Sequence, residues 1–166
     1  MQNNQVALER RLSYRCLLIA TGLTRQVAPL WETEYGLTVI TWRVMAVIGR
    51  YEPLAAKDVV WHTSTDPFFV SRAIDQLLEQ GYINRDVDPK DRRRLCLTLT
   101  KLGRTVHRRV EKEINRVEAD LLSRLSVQQQ TCMMEALMIL TEAVSGSDPS
   151  RAQAETVKAR RAVSAK

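Results

Sequence analysis

Lys90, Arg92, Arg93 and Arg94 crowd the stretch DPKDRRR, with Arg85 before it and Lys101 and Arg104 after it. Between Tyr82 and Arg104, seven basic residues face only Asp86, Asp88 and Asp91, a local excess of +4 within a net charge of +6. Guanidinium groups at this density suit a polyanion, because they form charge-assisted hydrogen bonds with phosphates and paired ones with the acceptor edge of guanine. Asp91 stands two residues before Arg93 and is expected to hold it in such a pair, leaving Arg92 and Arg94 for the anion. Upstream, Phe68, Ser71 and Arg72 offer an apolar ring, a hydroxyl and a further guanidinium. A charge run alone is usually a solvated surface, so the elements around it decide between the two readings.

Other chemistries find little support. Cys16, Cys96 and Cys132 are odd in number and far apart, which argues against a disulfide framework or a CxxC metal site and suits a reducing cytoplasm. His62 and His107 belong to no HxxxH or Cys-rich group, so a structural or surface role is expected and no metal site. A phosphate-binding glycine loop, GxSxG, HExxH and a dinucleotide glycine pattern are all missing, and the acidic residues form no convincing catalytic pair. The sequence reads as a non-enzyme without a cofactor.

The basic residues must be positioned by a mainly helical chain. Its 166 residues are 45% hydrophobic, 27% charged and only 5% aromatic, and apolar residues recur at helical spacing over long stretches. No run approaches the roughly 20 apolar residues of a membrane span, and the polar start MQNNQ predicts no signal peptide, so a cytoplasmic protein is expected. From about Val6 to Tyr35, Leu8, Leu12, Leu18, Ile19, Leu23 and Val27 predict a long amphipathic helix, bent near Pro29. Thr38 is a plausible N-cap for VITWRVMAVIGRY, whose near-continuous apolarity makes it central.

A short helix is predicted over 54–61 (LAAKDVVW), then a polar turn, then a helix over 66–80. Asp66 can cap the free amides of that helix, Pro67 needs no amide donor in the first turn, and Gly81 can take the left-handed conformation that ends it. Val70, Ala73, Ile74, Leu77 and Leu78 make one buried face, with Phe68, Ser71, Arg72 and Asp75 opposite; Phe69 borders the apolar side and is expected in the core. Two helices joined this way describe a helix-turn-helix. The segment 82–99 then reads as a hairpin, YINR and RLCLTL on either side of a polar turn, with Leu95, Leu97 and Leu99 on one face. From Thr100 a long helix runs to about Leu125, Val127 to Val144 forms another, and 145–166 is a basic, loosely held tail.

The residues from about Gly36 to Gly103 resemble the multiple-antibiotic-resistance regulator (MarR) family of winged helix-turn-helix transcription factors. The most specific match is DPKDRRRLCLTLTKLG, where Asp91 and Arg93 and the closing Leu99, Thr100 and Gly103 occur together at family spacing. The resemblance implies a mainly α fold with a small β-hairpin wing, a DNA-binding domain at 36–103, and a dimerisation region built from 6–35 and 104–144. It implies a homodimer on double-stranded DNA, reading a pseudo-palindromic operator through Phe68, Ser71 and Arg72 and through the wing residues Lys90, Arg92, Arg93 and Arg94. Phe68 and Phe69 depart from the small polar residues usual in the family.

The resemblance also implies a repressor released by a small-molecule effector, with an aromatic carboxylate as the family-based expectation. Trp42 and Arg43 fall near the cleft where members bind such acids, with anchoring of its helix an equal alternative for Arg43; Ser13, Tyr14 and Arg15 are candidates of the same standing. A thiol-switched repressor using Cys16 is one alternative. The family's peroxide-sensing position aligns with Ser13, however, and Cys16 is expected to be a small buried hydrophobe. The other alternative is a helical protein-interaction module without specific DNA binding.

Overall fold

The computed structural model describes residues 7–88 and 91–146, with the side chains of 88, 91–94, 145 and 146 outside the description. The chain runs α1 (Leu12–Pro29), α2 (Val39–Tyr51), α3 (Ala56–Thr63), α4 (Pro67–Glu79), β1 (Ile83–Asp88), β2 (Asp91–Leu99), α5 (Lys101–Leu122) and α6 (Val127–Gly146). A short 3-10 turn, Leu8–Arg10, precedes α1, and five residues of wider π-type winding, Leu30–Glu34, follow it. The ladder changes at Pro29, which has no amide to give.

Helix α2 is central because its sequence has no polar face to spare. Val44, Met45 and Ile48 are wholly buried, and they pack with Val59 of α3, Val70, Ile74 and Leu77 of α4, Leu97 of β2 and Val110 of α5. Thr38 caps α2 by accepting from the Thr41 amide, and the Thr41 hydroxyl accepts from the Thr38 amide at 2.6 Å. Asp66 caps α4 through the Phe68 amide at 2.8 Å. Between α3 and α4, Ser64 turns the chain at φ +49°, a left-handed position that a short polar side chain tolerates.

The hairpin is antiparallel, with Ile83 opposite Leu99 and Val87 opposite Leu95. Leu54 is not the first residue of α3: its backbone pairs with Leu97 of β2 in both directions. The Asp58 carboxylate accepts from the Ala55 amide, and the helix starts at Ala56, two residues later than expected. Leu97 and Leu99 are buried as predicted, but Leu95 is 54% exposed, and Cys96 from the opposite face is buried instead. The hairpin extends past the last core layer, so its apolar pair Val87 and Leu95 has nothing beneath it.

The Leu-Thr-x-x-Gly run closes the domain. Thr100 caps α5 by accepting from the Gly103 amide at 2.9 Å, while its own hydroxyl donates to the Gly81 carbonyl at 2.7 Å. Gly103 is required because any Cβ there would collide with the Tyr82 carbonyl oxygen. Glu52, unremarked in the sequence, accepts from the Leu99 amide at 2.6 Å and pairs with Arg104, joining the end of α2 to the hairpin and to α5.

Candidate nucleic-acid interface and ligand cleft

Helix α4 presents two chemically opposite faces. Val70, Ala73, Ile74 and Leu77 are buried, and Phe68, Ser71, Arg72 and Asp75, one helical repeat of i, i+3, i+4 and i+7, are exposed. The Arg72 guanidinium lies over the Phe68 ring, 5.6 Å from its centroid. Arg85 of β1 pairs with Asp75 at 3.3 Å, which ties the hairpin to α4 and offsets that carboxylate. Both partners are exposed, so the pair adds under about 1 kcal/mol of stability and acts mainly on local charge.

Phe69 is 51% exposed, against the expectation of a core residue. Val70 and Ala73 already fill the interior beside it, and its ring instead meets Phe68 edge-on at 5.5 Å. Of the wing residues, Arg92, Arg93 and Arg94 belong to β2, but their side chains lie outside the described residues, as does Lys90 altogether. The expected pairing of Asp91 with Arg93 falls there too.

A second candidate site lies between the terminal helices and the central one. A cleft of about 220 Å³ is lined by Leu23, Thr24, Val27 and Trp31 before α2, by Val39, Trp42 and Arg43 on α2, and by Ile114, Val117 and Glu118 on α5. Trp31 and Trp42 stack at 6.1 Å with an interplanar angle of 16°, and His107 meets Trp42 at 5.5 Å with its ring tilted by 36°. Gly49 makes room for that imidazole, since a Cβ there would meet His107 Nε2 at 2.6 Å. The Trp31 indole Nε1 is buried and has no hydrogen-bond partner among the described residues, and leaving such a donor unsatisfied costs about 1–3 kcal/mol.

Of the five residues named for a ligand, Trp42 and Arg43 line this cleft and Ser13, Tyr14 and Arg15 do not. These three occupy the first turn of α1, where Arg15 donates to the Glu9 carbonyl at 2.6 Å. Trp31 and Thr24 went unnamed, although Thr24, Val27 and Trp31 follow one helical face and Trp31 is one of only three tryptophans. Cys16 is exposed on α1, not buried as expected. Its neighbours Leu17, Leu18 and Ile19 are exposed as well, so this part of the helix has little packed against it among the described residues. Among the described residues no group of three or more His, Cys, Asp or Glu is placed to hold a metal ion, and no helix is long and apolar enough to cross a membrane.

The MarR family model matches residues 35–94, the span from the start of α2 to the wing. A putative transcriptional regulatory protein for the hcr operon of Thauera aromatica is 32% identical over 102 residues, which cover 61% of this chain and 61% of that protein. The segment from α2 to the wing is thus similar to the MarR family. The chain spans about three-fifths of that relative's length. The HTH-type transcriptional repressor Rv2887 of Mycobacterium tuberculosis is 26% identical over 95 residues, 57% of this chain and 68% of the repressor.

Solved MarR-type structures share the fold. Rv2887 in complex with p-aminosalicylic acid superposes with a TM-score of 0.62 at 23% identity, covering 79% of this chain and 98% of that one. Streptococcus pneumoniae FabT in complex with DNA superposes at 0.70 and 20% identity, covering 86% of this chain and all of FabT's (100%). The mainly helical architecture with a two-stranded wing is therefore that of the MarR winged helix-turn-helix.

Proposed function

We propose that this chain is a MarR-type homodimeric transcriptional repressor that acts in the cytoplasm, binds a pseudo-palindromic operator and is released by a small aromatic carboxylate. The observation that carries the DNA-binding reading is the outward face of α4, where Ser71 and Arg72 stand exposed beside a hairpin and α5 start that together, from Tyr82 to Arg104, carry a local charge of +4. A helix fits the major groove, where every base pair shows a distinct pattern, and arginine-rich wings suit the narrow, negative minor groove. Lys90, Arg92, Arg93 and Arg94 are assigned to that wing contact, and 36–103 to the DNA-binding domain. FabT, a neighbour in fold, has been seen on DNA.

Dimerisation is assigned to 6–35 and 104–144. Leu12, Leu18 and Ile19 on α1 and Met138, Ile139 and Val144 on α6 are all about half or more exposed in one chain, an apolar surface that soluble monomers seldom leave open. Two such chains would set recognition helices about one helical turn, roughly 10 bp, apart. The 220 Å³ cleft is smaller than the roughly 300–1,000 Å³ of drug-sized pockets and suits a single ring. Two indoles offer that ring a stacking surface, Arg43 offers a carboxylate its counterion, and the Trp31 N–H offers an acceptor its donor. Rv2887 holds such an acid in its own structure. Because α1 and α5 form one wall and α2 the other, a ligand that prefers one spacing of these helices shifts the dimer away from the operator-binding form.

The test is an operator gel shift with the full chain across a salt series. Specific binding that weakens steeply with salt, and that a single-ring aromatic acid reverses, is expected. Arg92→Ala and Arg94→Ala should weaken binding to all sequences, whereas Arg72→Ala should also relax preference at one base position. Complete absence of specific binding sinks the reading in favour of a helical interaction module. The exposure of Cys16 supports a second reading, a thiol switch. If peroxide leaves the operator affinity of the wild type unchanged, that switch is excluded.

A further inference from the structure

The only two phenylalanines in the sequence are adjacent, at Phe68 and Phe69, in the first turn of α4. They are 60% and 51% exposed, although phenylalanine is among the residues most often buried and the interior face of α4 is already filled. They are not a loose surface pair. Phe69 holds its ring at 75° to that of Phe68, the edge-to-face arrangement aromatic pairs prefer, and Arg72 covers Phe68 from one turn further on. The Asp66 cap and Pro67 fix the backbone that carries both rings.

Resting on the DNA-binding reading of α4, we propose that Phe68 reads the C5-methyl group of a thymine in each operator half-site, next to the guanine contacted by Arg72. The first residues of a recognition helix are those that meet base edges. In the major groove, hydrogen-bonding edges surround one apolar group, the thymine methyl, so an exposed ring at this place has a single complement on DNA. A ring against a polar base edge would strip water from donors and acceptors and return no hydrogen bond. Contact between the Arg72 guanidinium and the Phe68 ring places their targets on neighbouring base pairs, since the arginine reaches guanine O6 and N7 in the plane of that base. Phe69 is a positioning residue: it braces Phe68 edge-on and limits the rotamers open to it.

The experiment uses the full chain and operators selected from random duplexes at fixed salt. Thymines in the selected site are then replaced one at a time by deoxyuridine, which removes only the methyl group. The wild type should lose about fourfold in affinity at one thymine per half-site, the loss expected for one buried methyl-sized group, and about 15-fold when both half-sites are changed. That thymine should adjoin the guanine at which Arg72→Ala relaxes preference. Phe68→Ser should bind the thymine and deoxyuridine operators equally, whereas Phe68→Leu, which keeps an apolar contact, should retain most of the discrimination. Phe69→Ala should reduce the discrimination in part while leaving the thermal midpoint unchanged.

Indifference of the wild type to every deoxyuridine replacement overturns the proposal, as does undiminished discrimination in Phe68→Ser. Salt-sensitive binding with no sequence preference overturns it too, yet leaves non-specific DNA binding intact. Loss of all DNA binding overturns both this inference and the function on which it rests.

Discussion

Helix α2 and the terminal helices α1 and α6 are similarly rich in apolar residues, and the folded chain treats them in opposite ways. Val44, Met45 and Ile48 are 0% exposed, while Leu12, Leu17, Ile19, Met138 and Ile139 all exceed 50%. The first group is enclosed by α3, α4, β2 and α5 of the same chain. The second has no such enclosure among the described residues. One region is therefore a finished core and the other an apolar surface left open, a difference that lies in topology and not in composition.

The comparison can be broken first at its strongest point. Ile48→Ala should cost about 2–5 kcal/mol in chemical denaturation, since the cavity would open amid fully buried neighbours, and should leave the dimer's own assembly constant unchanged. Ile139→Asp is expected to do the reverse, raising the dimer dissociation constant on the order of 100-fold in sedimentation experiments while circular dichroism keeps the helix content of the domain. If that variant sediments like the wild type, the assignment of α6 to the interface is wrong.

Smaller effects sharpen the account of the finished region. Asp66→Ala removes the α4 cap and should cost about 1 kcal/mol by thermal or denaturant unfolding, whereas Asp66→Asn should cost much less. Arg85→Ala should change stability by under about 1 kcal/mol, because its pair with Asp75 is exposed. It should nonetheless weaken DNA binding by leaving the Asp75 carboxylate uncompensated among phosphates; unchanged binding at low salt would remove Arg85 from the interface.

The caps and turns were readable because they are local. Thr38, Asp66-Pro67, Gly81 and Thr100 each act on backbone groups within a few residues, and the structure uses Thr38, Asp66 and Thr100 as caps and sets Gly81 at φ +69°. The helical period of α4 likewise separated Val70, Ala73, Ile74 and Leu77 from Ser71 and Arg72. Leu54, Leu95, Phe69 and Cys16 were misread because their surroundings come from elsewhere in the chain or from no part of it. A strand partner 43 residues away, at Leu97, decides Leu54. The hairpin's reach beyond the core decides Leu95.

The candidate sites divide in the same manner. Ser71 and Arg72 were legible as an exposed pair on α4 because helical register is a property of consecutive residues, and the charge of the wing is written in the sequence itself. The cleft was only half legible: Trp42 and Arg43 were found on α2, but Trp31 and Thr24 come from the preceding helical segments and Ile114, Val117 and Glu118 from α5.

By itself, then, the sequence determined the order of helices and hairpin, the capped ends of α2, α4 and α5, the split faces of α4 and the basic character of the wing. These depend on dihedral preferences, near-neighbour hydrogen bonds and charge, which act over a few residues. Only the tertiary structure decided that Glu52 joins α2 to both the hairpin and α5, that Trp42 lies against both Trp31 and His107, and that Phe69 faces outward. Burial is a property of what lies opposite, and packing brings that face from distant parts of the chain.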